Sequence, residues 1–389
     1  MSTTEEPSRQ RPATRLVRAG RSPHVTGPFV NPPVVHASTV LFDSVEAIEG
    51  GRERYQYGRT LTPTIEALQD AMAELEGAEG VVLCPSGLNA VAVALLSAVG
   101  AGDHLLMADN VYDPARSVPE TVLARMGVET TFFDPCDLGA LAGLFRPNTR
   151  AVYVESPGSL TFEMSDIPAI AALAHARNAL VIADNTWATP LLFQPLAFGA
   201  DLAVLAGTKY IGGHSDVMLG TVAAGPSAWR SLKATHAALG LCAGPDDIFL
   251  GLRGLRTLAV RLERHQASAL AVASFLRDRP EVERVLYPAL DGDPGHALWR
   301  RDMRGASGLF GVVFSSWPAE RTRRFLNALR LFGLGYSWGG FESLAIPVRL
   351  RRTAMAAPAP GSMVRLHIGL EDPADLIADI EQALRAAGA

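Results

Sequence analysis

The sequence has little of what marks secreted, zinc-binding or membrane-spanning chains. Its three cysteines, Cys84, Cys136 and Cys242, are odd in number and widely spaced, which argues against a disulfide framework or a zinc site. Residues 1–12 are polar and lack the apolar core of a signal peptide. The strongest apolar run, residues 91–99, is too short to cross a bilayer. These absences predict a cytoplasmic protein with no membrane partner and no metal.

Neither sign of charge is in large excess. The 389 residues carry a formal net charge of -5, which gives no electrostatic reason to expect a nucleic-acid partner. A basic run at residues 349–352 is short, as in a solvated loop or a local anion contact. The chain is longer than one hydrophobic core usually requires, so we expect more than one domain.

We predict three regions along the chain. Residues 1–62 form an N-terminal arm, whose first dozen residues have the composition of a disordered segment. The rest of the arm is rich in proline and glycine and has little apolar content, so we expect it to lie on something else. Residues 63–256 form an α/β domain, and residues 257–389 form a smaller C-terminal α+β domain.

Short apolar runs alternate with amphipathic segments between residues 63 and 256. This alternation predicts a mainly parallel sheet with helices on both faces and an active site at the carboxyl ends of the strands. The predicted strands lie around residue 83 and at 105–107, 131–133, 152–154, 180–183 and 202–205, and the predicted helices at 87–99, 115–126, 138–144 and 166–176.

A long helix over residues 245–277 is predicted to lead into the C-terminal domain. There, Asp372 can cap a last helix and Pro373 suits its first position. This domain mixes predicted strands at 309–314 and 363–368 with predicted helices at 319–329 and 373–387.

Two of the predicted strand ends carry groups that suit an anion or a ring nitrogen. The turn CPSGLN at residues 84–89 leads into a helix, whose free N–H groups and positive dipole end favour a phosphate. Asp184 follows the strand at 180–183, where a carboxylate can pair with the protonated ring nitrogen of a cofactor. An ordinary turn and a helix cap are the competing interpretations of these two features.

Two further segments place a cation among apolar residues. Lys209 comes directly after Thr208 at the end of a predicted strand and precedes a glycine-rich turn. Partial burial at such a place lowers the pKa of an amine enough for it to act as a nucleophile or base. Arg365 lies in the predicted strand at 363–368, and its fork matches a carboxylate. A surface lysine and a structural salt bridge remain the alternatives.

The string DLAVLAGTKYIGGHS at residues 201–215 resembles the lysine signature of the Cys/Met-metabolism family of pyridoxal-phosphate (PLP) enzymes. The similarity runs almost end to end, through YGR at 57–59, ELEG at 74–77, ESPG at 155–158, DNTWA at 184–188 and RGLRTL at 253–258. It implies an α/β fold of the type I PLP-dependent transferases, with a mainly parallel sheet, flanking helices and a smaller α+β C-terminal domain. The strings YSWGGFES at 336–343 and RLHIGLE at 365–371 are similar to those of carbon–sulfur β-lyases.

The resemblance implies which residues hold PLP. Lys209 would bind it as a Schiff base, Asp184 would pair with its ring nitrogen, and Tyr112 would stack on the ring. The phosphate contacts would come from the backbone amides of Gly87 and Leu88 and from the hydroxyl of Thr208. Ala206 stands where a serine is usual in the family, so one phosphate contact is expected to be missing.

The resemblance also implies contacts to the substrate and to a second subunit. Arg365 would bind the α-carboxylate of a small amino-acid thioether, with Ser337, Trp338 and Tyr112 beside it. Tyr57 and Arg59 would reach the cofactor of a neighbouring subunit, which makes a homodimer the catalytic unit and a homotetramer the expected assembly. Lys209, Tyr112 and Tyr57 are the residues expected to take part in catalysis.

Cleavage of a Cβ–S bond is the activity that the resemblance implies. The bulky indole of Trp338 favours it, because a rigid wall beside the carboxylate site restricts the geometry about Cα and Cβ. Three alternatives stay open: a γ-lyase or γ-synthase reaction, a lyase for another cysteine conjugate, and a non-catalytic PLP-binding regulatory protein. Residues 347–360 match the family poorly and leave the choice of substrate open.

Overall fold

The computed structural model describes residues 10–357 and 361–388. The helices are α1 (Pro12–Arg18), α2 (Pro23–Thr26), α3 (Val45–Gly50), α4 (Pro63–Glu76), α5 (Gly87–Ala98), α6 (Asp113–Ser117), α7 (Leu138–Leu144), α8 (Ile167–His175), α9 (Thr189–Leu192), α10 (Pro226–Ala238), α11 (Pro245–Leu255), α12 (Leu258–Arg277), α13 (His296–Asp302), α14 (Ala319–Ala328) and α15 (Pro373–Gly388). A π-helical turn, Val118–Leu123, continues α6, and a 3-10 turn spans Pro195–Phe198.

Seven strands form the first sheet, in the order β1-β7-β6-β5-β4-β2-β3. The strands are β1 (Gly80–Cys84), β2 (His104–Ala108), β3 (Glu129–Phe133), β4 (Thr149–Glu155), β5 (Leu180–Asp184), β6 (Leu202–Leu205) and β7 (Gly220–Ala224). The neighbours from β6 to β3 are parallel, and β7 runs antiparallel to both β1 and β6. The prediction of a mainly parallel sheet with flanking helices is confirmed, whereas β7 was not predicted.

Five strands form the second sheet, in the order β10-β11-β12-β9-β8. They are β8 (Val282–Leu286), β9 (Leu309–Phe314), β10 (Gly333–Leu334), β11 (Leu344–Pro347) and β12 (Met363–His367). All its pairs are antiparallel except β10 with β11. The last helix, α15, packs against α12 and α14, and its first turn is capped by the Asp372 carboxylate, which accepts from Ala374 N at 2.9 Å. The predicted domain bounds at 62 and 256 stay predictions.

One long helix over residues 245–277 was predicted, and this prediction is wrong. Thr257, between α11 and α12, has φ -107° and ψ 5°, which is outside helical geometry. Its N–H turns back to Gly254 O at 3.1 Å. A Cβ on Gly254 would lie 2.2 Å from the Ile211 carbonyl oxygen, so α11 ends against the segment that follows Lys209. Leucines continue at helical spacing across the break, which hides it in the sequence.

The arm is more ordered than its composition suggests. The prediction of disorder for the first dozen residues falls largely on residues 1–9, which lie outside the described part of the chain. From residue 12 onward α1 packs on α4 and α12 of its own chain, with Leu16 buried. Farther along, the arm exposes apolar side chains, including Leu41, of which 90% is accessible. Within the described residues, no helix is both long and apolar enough to cross a membrane.

Candidate active site

Lys209 lies four residues beyond the end of β6, in a turn closed by its N–H to Ala206 O. Its Nζ donates to the hydroxyl of Ser337 at 2.7 Å and stands 5.4 Å from the centre of the Trp338 ring. Burial, together with the positive charge of Arg365, lowers the pKa of Lys209 to about 8. A substantial fraction of this amine is therefore neutral near physiological pH, as a nucleophile or base requires.

Asp184 ends the neighbouring strand, β5, and is buried. Its carboxylate accepts from Thr186 N at 2.9 Å and from Tyr153 OH at 3.2 Å, so it is fixed in orientation. In the described part of the chain no Lys, Arg or His forms a salt bridge with it. Burial raises the pKa of Asp184, and the hydrogen bonds from Thr186 and Tyr153 and the charge of Lys209 offset this only in part. A buried carboxylate that forms no salt bridge suits a positively charged ring nitrogen.

Arg365 is the central residue of β12 and is also buried. One of its terminal nitrogens donates to Ser337 O at 2.8 Å, while its Nε is buried without a hydrogen-bond partner. Among the residues described, none of the ion pairs includes Arg365, so the structural salt bridge that the sequence left open is not found. Burial lowers the pKa of Arg365 to about 10. The Arg365 guanidinium can therefore donate hydrogen bonds to the carboxylate of a ligand.

The loop at residues 337–340 joins Arg365 to Lys209. Ser337 has φ 78°, a left-handed conformation that is strained for a residue with a side chain. A Cβ on Gly339 would lie 2.9 Å from the backbone of Lys209, so only glycine permits the loop to lie this close. The Gly339 N–H donates to Nε2 of His367 at 3.1 Å. His367 was quoted only as part of a motif, because its role becomes visible only when the loop is seen to rest on it.

The start of α5 forms a cradle of small residues. Ser86 caps the helix by accepting from Asn89 N at 3.1 Å, which leaves the amides of Gly87 and Leu88 without partners inside the helix. A Cβ on Gly87 would lie 2.4 Å from that of Ala206, so both positions must stay small.

Thr208 follows strand β6, and its hydroxyl already has hydrogen-bond partners within the protein. Its hydroxyl oxygen is 3.1 Å from Leu219 O and 3.0 Å from Leu219 N. If it binds a phosphate as the sequence predicts, its hydrogen must leave the Leu219 carbonyl. The phosphate role of Thr208 stays a prediction.

Tyr112 precedes α6, and 46% of its side chain is accessible. Its backbone N–H donates to the carboxylate of Glu155 at 2.7 Å, which fixes the turn beside the end of β4. Burial, with Asp184 nearby, raises the pKa of Glu155 well above its ordinary value. Glu155 was quoted only as part of a motif, because its sequence neighbours do not reveal that it supports Tyr112.

Tyr57 and Arg59 are not brought together with the other predicted site residues. Both are exposed on the arm, and the Arg59 guanidinium lies 5.9 Å from the Tyr57 ring. Across the described residues, no hydrogen bond or ring contact joins either of them to Lys209 or Arg365. A cavity of about 690 Å³, lined by residues such as Cys136 and Leu298, also includes none of the predicted site residues.

The chain is similar to known proteins over nearly its whole length. A model of the family described as "Cys/Met metabolism PLP-dependent enzyme" matches residues 13–385. The chain is 52% identical to a putative cystathionine beta-lyase of Rhizobium johnstonii over 97% of this chain and 96% of the relative. It is 42% identical to the cystathionine beta-lyase MetC of Escherichia coli, covering 95% and 96%. It is also 39% identical to a cystathionine gamma-synthase of Mycobacterium bovis, covering 96% of each chain.

A solved structure is similar over nearly its whole length. The crystal structure of metB from Corynebacterium glutamicum superposes with a TM-score of 0.91 at 34% sequence identity, covering 98% of this chain and 99% of that one.

Proposed function

The chain belongs to the Cys/Met-metabolism PLP-dependent enzymes, and from this premise we propose that it is a carbon–sulfur β-lyase that converts L-cystathionine to homocysteine, pyruvate and ammonia. The observation that carries the proposal is the linkage of Lys209 to Arg365 through Ser337. Ser337 binds Lys209 Nζ with its side chain and Arg365 with its carbonyl. A proton acceptor and a free carboxylate site are thereby held at a fixed separation, as removal of an amino-acid α-proton requires.

PLP is the cofactor of this family, and the residues of the site fit it. The buried Asp184 forms no salt bridge within the described chain, although the charge of Lys209 acts on it, and it can pair with the protonated ring nitrogen. The cradle of Gly87 and Ala206 excludes side chains from the start of α5, where free amides favour a phosphate. Lys209 offers an amine of lowered pKa to the cofactor aldehyde, and Tyr112 offers a ring with which to cover it. Bound PLP withdraws electrons from the substrate Cα and so makes its proton acidic.

The chain's own residues then bind the substrate and move its protons. Arg365 holds the α-carboxylate with its unpaired Nε and a terminal nitrogen, and so orients Cα toward the turn that carries Lys209. Lys209 Nζ takes the α-proton, and its hydrogen bond to Ser337 Oγ keeps the amine directed into the site. The phenol of Tyr112 would donate a proton to the departing sulfur. The Cβ–S bond breaks, and the sulfur leaves with the electron pair as homocysteine. Water then hydrolyses the three-carbon enamine that remains to pyruvate and ammonia.

Trp338 supports β-cleavage over γ-cleavage. Its indole packs against Tyr210, with the ring centres 5.5 Å apart, and stands close to Lys209 Nζ. A wall fixed in this way limits rotation about Cα–Cβ in a bound thioether. Removal of a second proton from Cβ, which γ-elimination needs, requires such rotation. The similarity to a gamma-synthase keeps the γ-reaction as the second candidate.

Product identification from L-cystathionine tests the proposal. The purified protein, loaded with PLP, is expected to release pyruvate and homocysteine in equal amounts. Release of 2-oxobutyrate and cysteine would instead assign the γ-reaction, and release of no product from any cysteine thioether would indicate a non-catalytic protein. Trp338→Phe is the matched variant, and a smaller wall should raise the share of 2-oxobutyrate.

We also propose that the active site is shared between the two subunits of a homodimer, within a homotetramer. Tyr57 and Arg59 are exposed on an arm that is anchored to its own chain, since Tyr55 OH donates to the buried Glu66 at 2.7 Å. Arg59→Ala and Lys209→Ala should each be nearly inactive. After subunit exchange, mixed dimers contain one intact site and should regain activity. Failure to recover activity, with exchange verified, would count against sharing. A cytoplasmic location remains a prediction.

A further inference from the structure

Residues 351–355, which we call the strap, connect the second sheet to the turn that carries Tyr112. The strap lies between β11 and β12 in the chain, and β12 contains Arg365. Three consecutive backbone N–H groups of the strap, those of Thr353, Ala354 and Met355, donate to one carboxylate oxygen of Asp109 at 2.8–2.9 Å. The Thr353 hydroxyl donates to the other oxygen at 3.0 Å. Asp109 thus binds the strap at four points across 244 residues or more of sequence.

Arg116 completes the attachment from the side of the first sheet. Its guanidinium donates to the Asp109 carboxylate at 2.7 Å, and both side chains are almost completely buried. The same guanidinium lies 3.8 Å from the centre of the Phe132 ring and 3.4 Å from the Thr353 hydroxyl. We call Asp109, Arg116 and Thr353 the Asp109 cluster. Because its charges are paired and its hydrogen bonds converge, the cluster fixes the strap in one position.

The strap is attached again on the other side of Tyr112. Arg351 donates to Asp113 at 2.9 Å and to Glu120 at 2.7 Å, and both acceptors lie on the helical segment that Tyr112 begins. Asp109 lies three residues before Tyr112, and Asp113 directly after it. The turn that carries the Tyr112 ring is therefore held at both ends by one short segment of the second sheet's connection.

We propose that Asp109 is a positioning residue, which acts through the strap to hold the Tyr112 ring at a fixed place relative to Arg365. This inference rests on the role proposed above for Tyr112. The path of contacts has two parts: Asp109 and Asp113 fix the turn, and the strap follows β11, whose Ile346 pairs with Arg365 of β12. Tyr112 is itself half exposed, so only part of its surface is held by packing. A displacement of about 1 Å at a reacting group reduces turnover by roughly 100-fold.

The two substitutions Thr353→Val and Thr353→Ser provide a mild test. Valine keeps the shape of threonine but lacks the hydroxyl that donates to Asp109, whereas serine retains that hydroxyl. We expect kcat/KM to fall roughly tenfold in Thr353→Val, as for one lost hydrogen bond to a charged group, and to be largely restored in Thr353→Ser. Visible circular dichroism of the bound cofactor should change in the same order, because it reports the ring that covers the cofactor.

A double-mutant cycle tests whether Asp109 affects catalysis through Tyr112. Asp109→Ala should lower kcat by roughly 100-fold in the wild-type background and have almost no effect on it in a Tyr112→Ala background. If Asp109→Ala does not fold, Thr353→Val takes its place in the cycle. Equal effects in both backgrounds would overturn the proposal, as would a loss of thermal stability with unchanged kcat and an unchanged dichroism spectrum.

Hydrogen exchange of the cofactor-free protein gives a readout that does not depend on activity. The amides of residues 353–355 should exchange at least about tenfold faster in Asp109→Ala, whereas Arg323→Gln, which breaks an exposed pair with Glu320 on α14, should leave them unchanged. Equal protection in wild type and Asp109→Ala would contradict the attachment itself. If the wild-type protein does not cleave cystathionine, the proposed function fails, while the dichroism and exchange results still decide whether Asp109 fixes the strap and the Tyr112 turn.

Discussion

The Lys209 site and the Asp109 cluster both bury charged side chains, but they differ in whether those side chains form salt bridges. Among the described residues, Asp184 and Arg365 of the site form no salt bridge, whereas Asp109 and Arg116 of the cluster form a direct pair. The pKa values of the two buried carboxyl groups reflect this difference. Burial raises the pKa of Asp184, while at Asp109 the effect of burial is outweighed by Arg116 and the strap amides, and the pKa is lowered.

The difference shows which buried charges belong to the architecture and which await a ligand. A buried charge that lacks a partner destabilises the folded chain, so its presence requires another explanation. At the Lys209 site the explanation is a charged cofactor and an amino-acid substrate. At the Asp109 cluster the charges are already matched, and their effect is to join two sheets.

The largest expected effect comes from replacing one arginine in each region. Arg365→Leu should lower kcat/KM by roughly 1,000-fold, since two charge-assisted hydrogen bonds to the substrate contribute about 2 kcal/mol each. The free energy of unfolding of the cofactor-free protein should change by less than about 1 kcal/mol, because no ion pair is lost. Arg116→Leu is the matched control. It should lower the free energy of unfolding by roughly 3 kcal/mol, because Asp109 is left buried without its cation.

Denaturant unfolding and steady-state kinetics on the same preparations measure both quantities. The comparison fails if Arg365→Leu destabilises the cofactor-free protein as much as Arg116→Leu does.

Neutralising one carboxylate in each region should change the free energy of unfolding by a smaller amount, and with opposite signs in the two regions. Asp184→Asn should stabilise the cofactor-free protein at pH 7 by roughly 1 kcal/mol, because an unpaired buried charge is removed while asparagine can still bind Thr186 and Tyr153. Asp109→Asn should destabilise it, because asparagine cannot accept from all the donors that converge there.

The pH dependence of the stability of these two variants tests the sign of each effect independently. The folded-state pKa of Asp109 is lowered, so its contribution to stability is present above the unfolded pKa of about 3.9 and is lost as the pH falls through the folded value. The folded-state pKa of Asp184 is raised, so its contribution is full below the unfolded pKa and is lost as the pH rises. Asp109→Asn should therefore lose stability mainly above pH 4, and Asp184→Asn should gain it there.

The sequence revealed the two regions unequally. An arginine amid the apolar run of β12 and a lysine before a glycine-rich turn are visible without a structure, because their charge conflicts with their surroundings. The parallel core of the first sheet was predictable for a related reason: its strands are short apolar runs separated by amphipathic helices. These features depend on local sequence alone.

Features that depend on distant contacts were not predictable. Strand β7 is made of small residues, and its place between β1 and β6 is set by pairing rather than by its own apolarity. The Asp109 cluster joins residues more than 240 positions apart, and nothing near Thr353 indicates a buried carboxylate as its partner. Residues 347–360 matched the family poorly in sequence, yet the structure makes part of them the connection between the sheets.

The smallest expected effect concerns the charge of Lys209. Because burial and Arg365 lower its pKa to about 8, the rate at which the cofactor-free protein takes up PLP should rise with pH, with a midpoint near that value, and level off at higher pH. In Arg365→Leu the neighbouring positive charge is absent, and the midpoint should move to higher pH. Stopped-flow absorbance measures both profiles. A midpoint that does not move would show that Arg365 has no electrostatic effect on Lys209.

Borohydride reduction followed by peptide mapping tests the central assignment most directly. The sequence contains only two lysines, Lys209 at the site and Lys233 on the exposed face of α10, so the outcome is a choice between them and the α-amino group. Reduction of the PLP-loaded protein should fix the cofactor to the peptide that contains Lys209, and Lys209→Ala should show no stable adduct. Modification of Lys233 or of the α-amino group, with Lys209 unmodified, would contradict the account of the site.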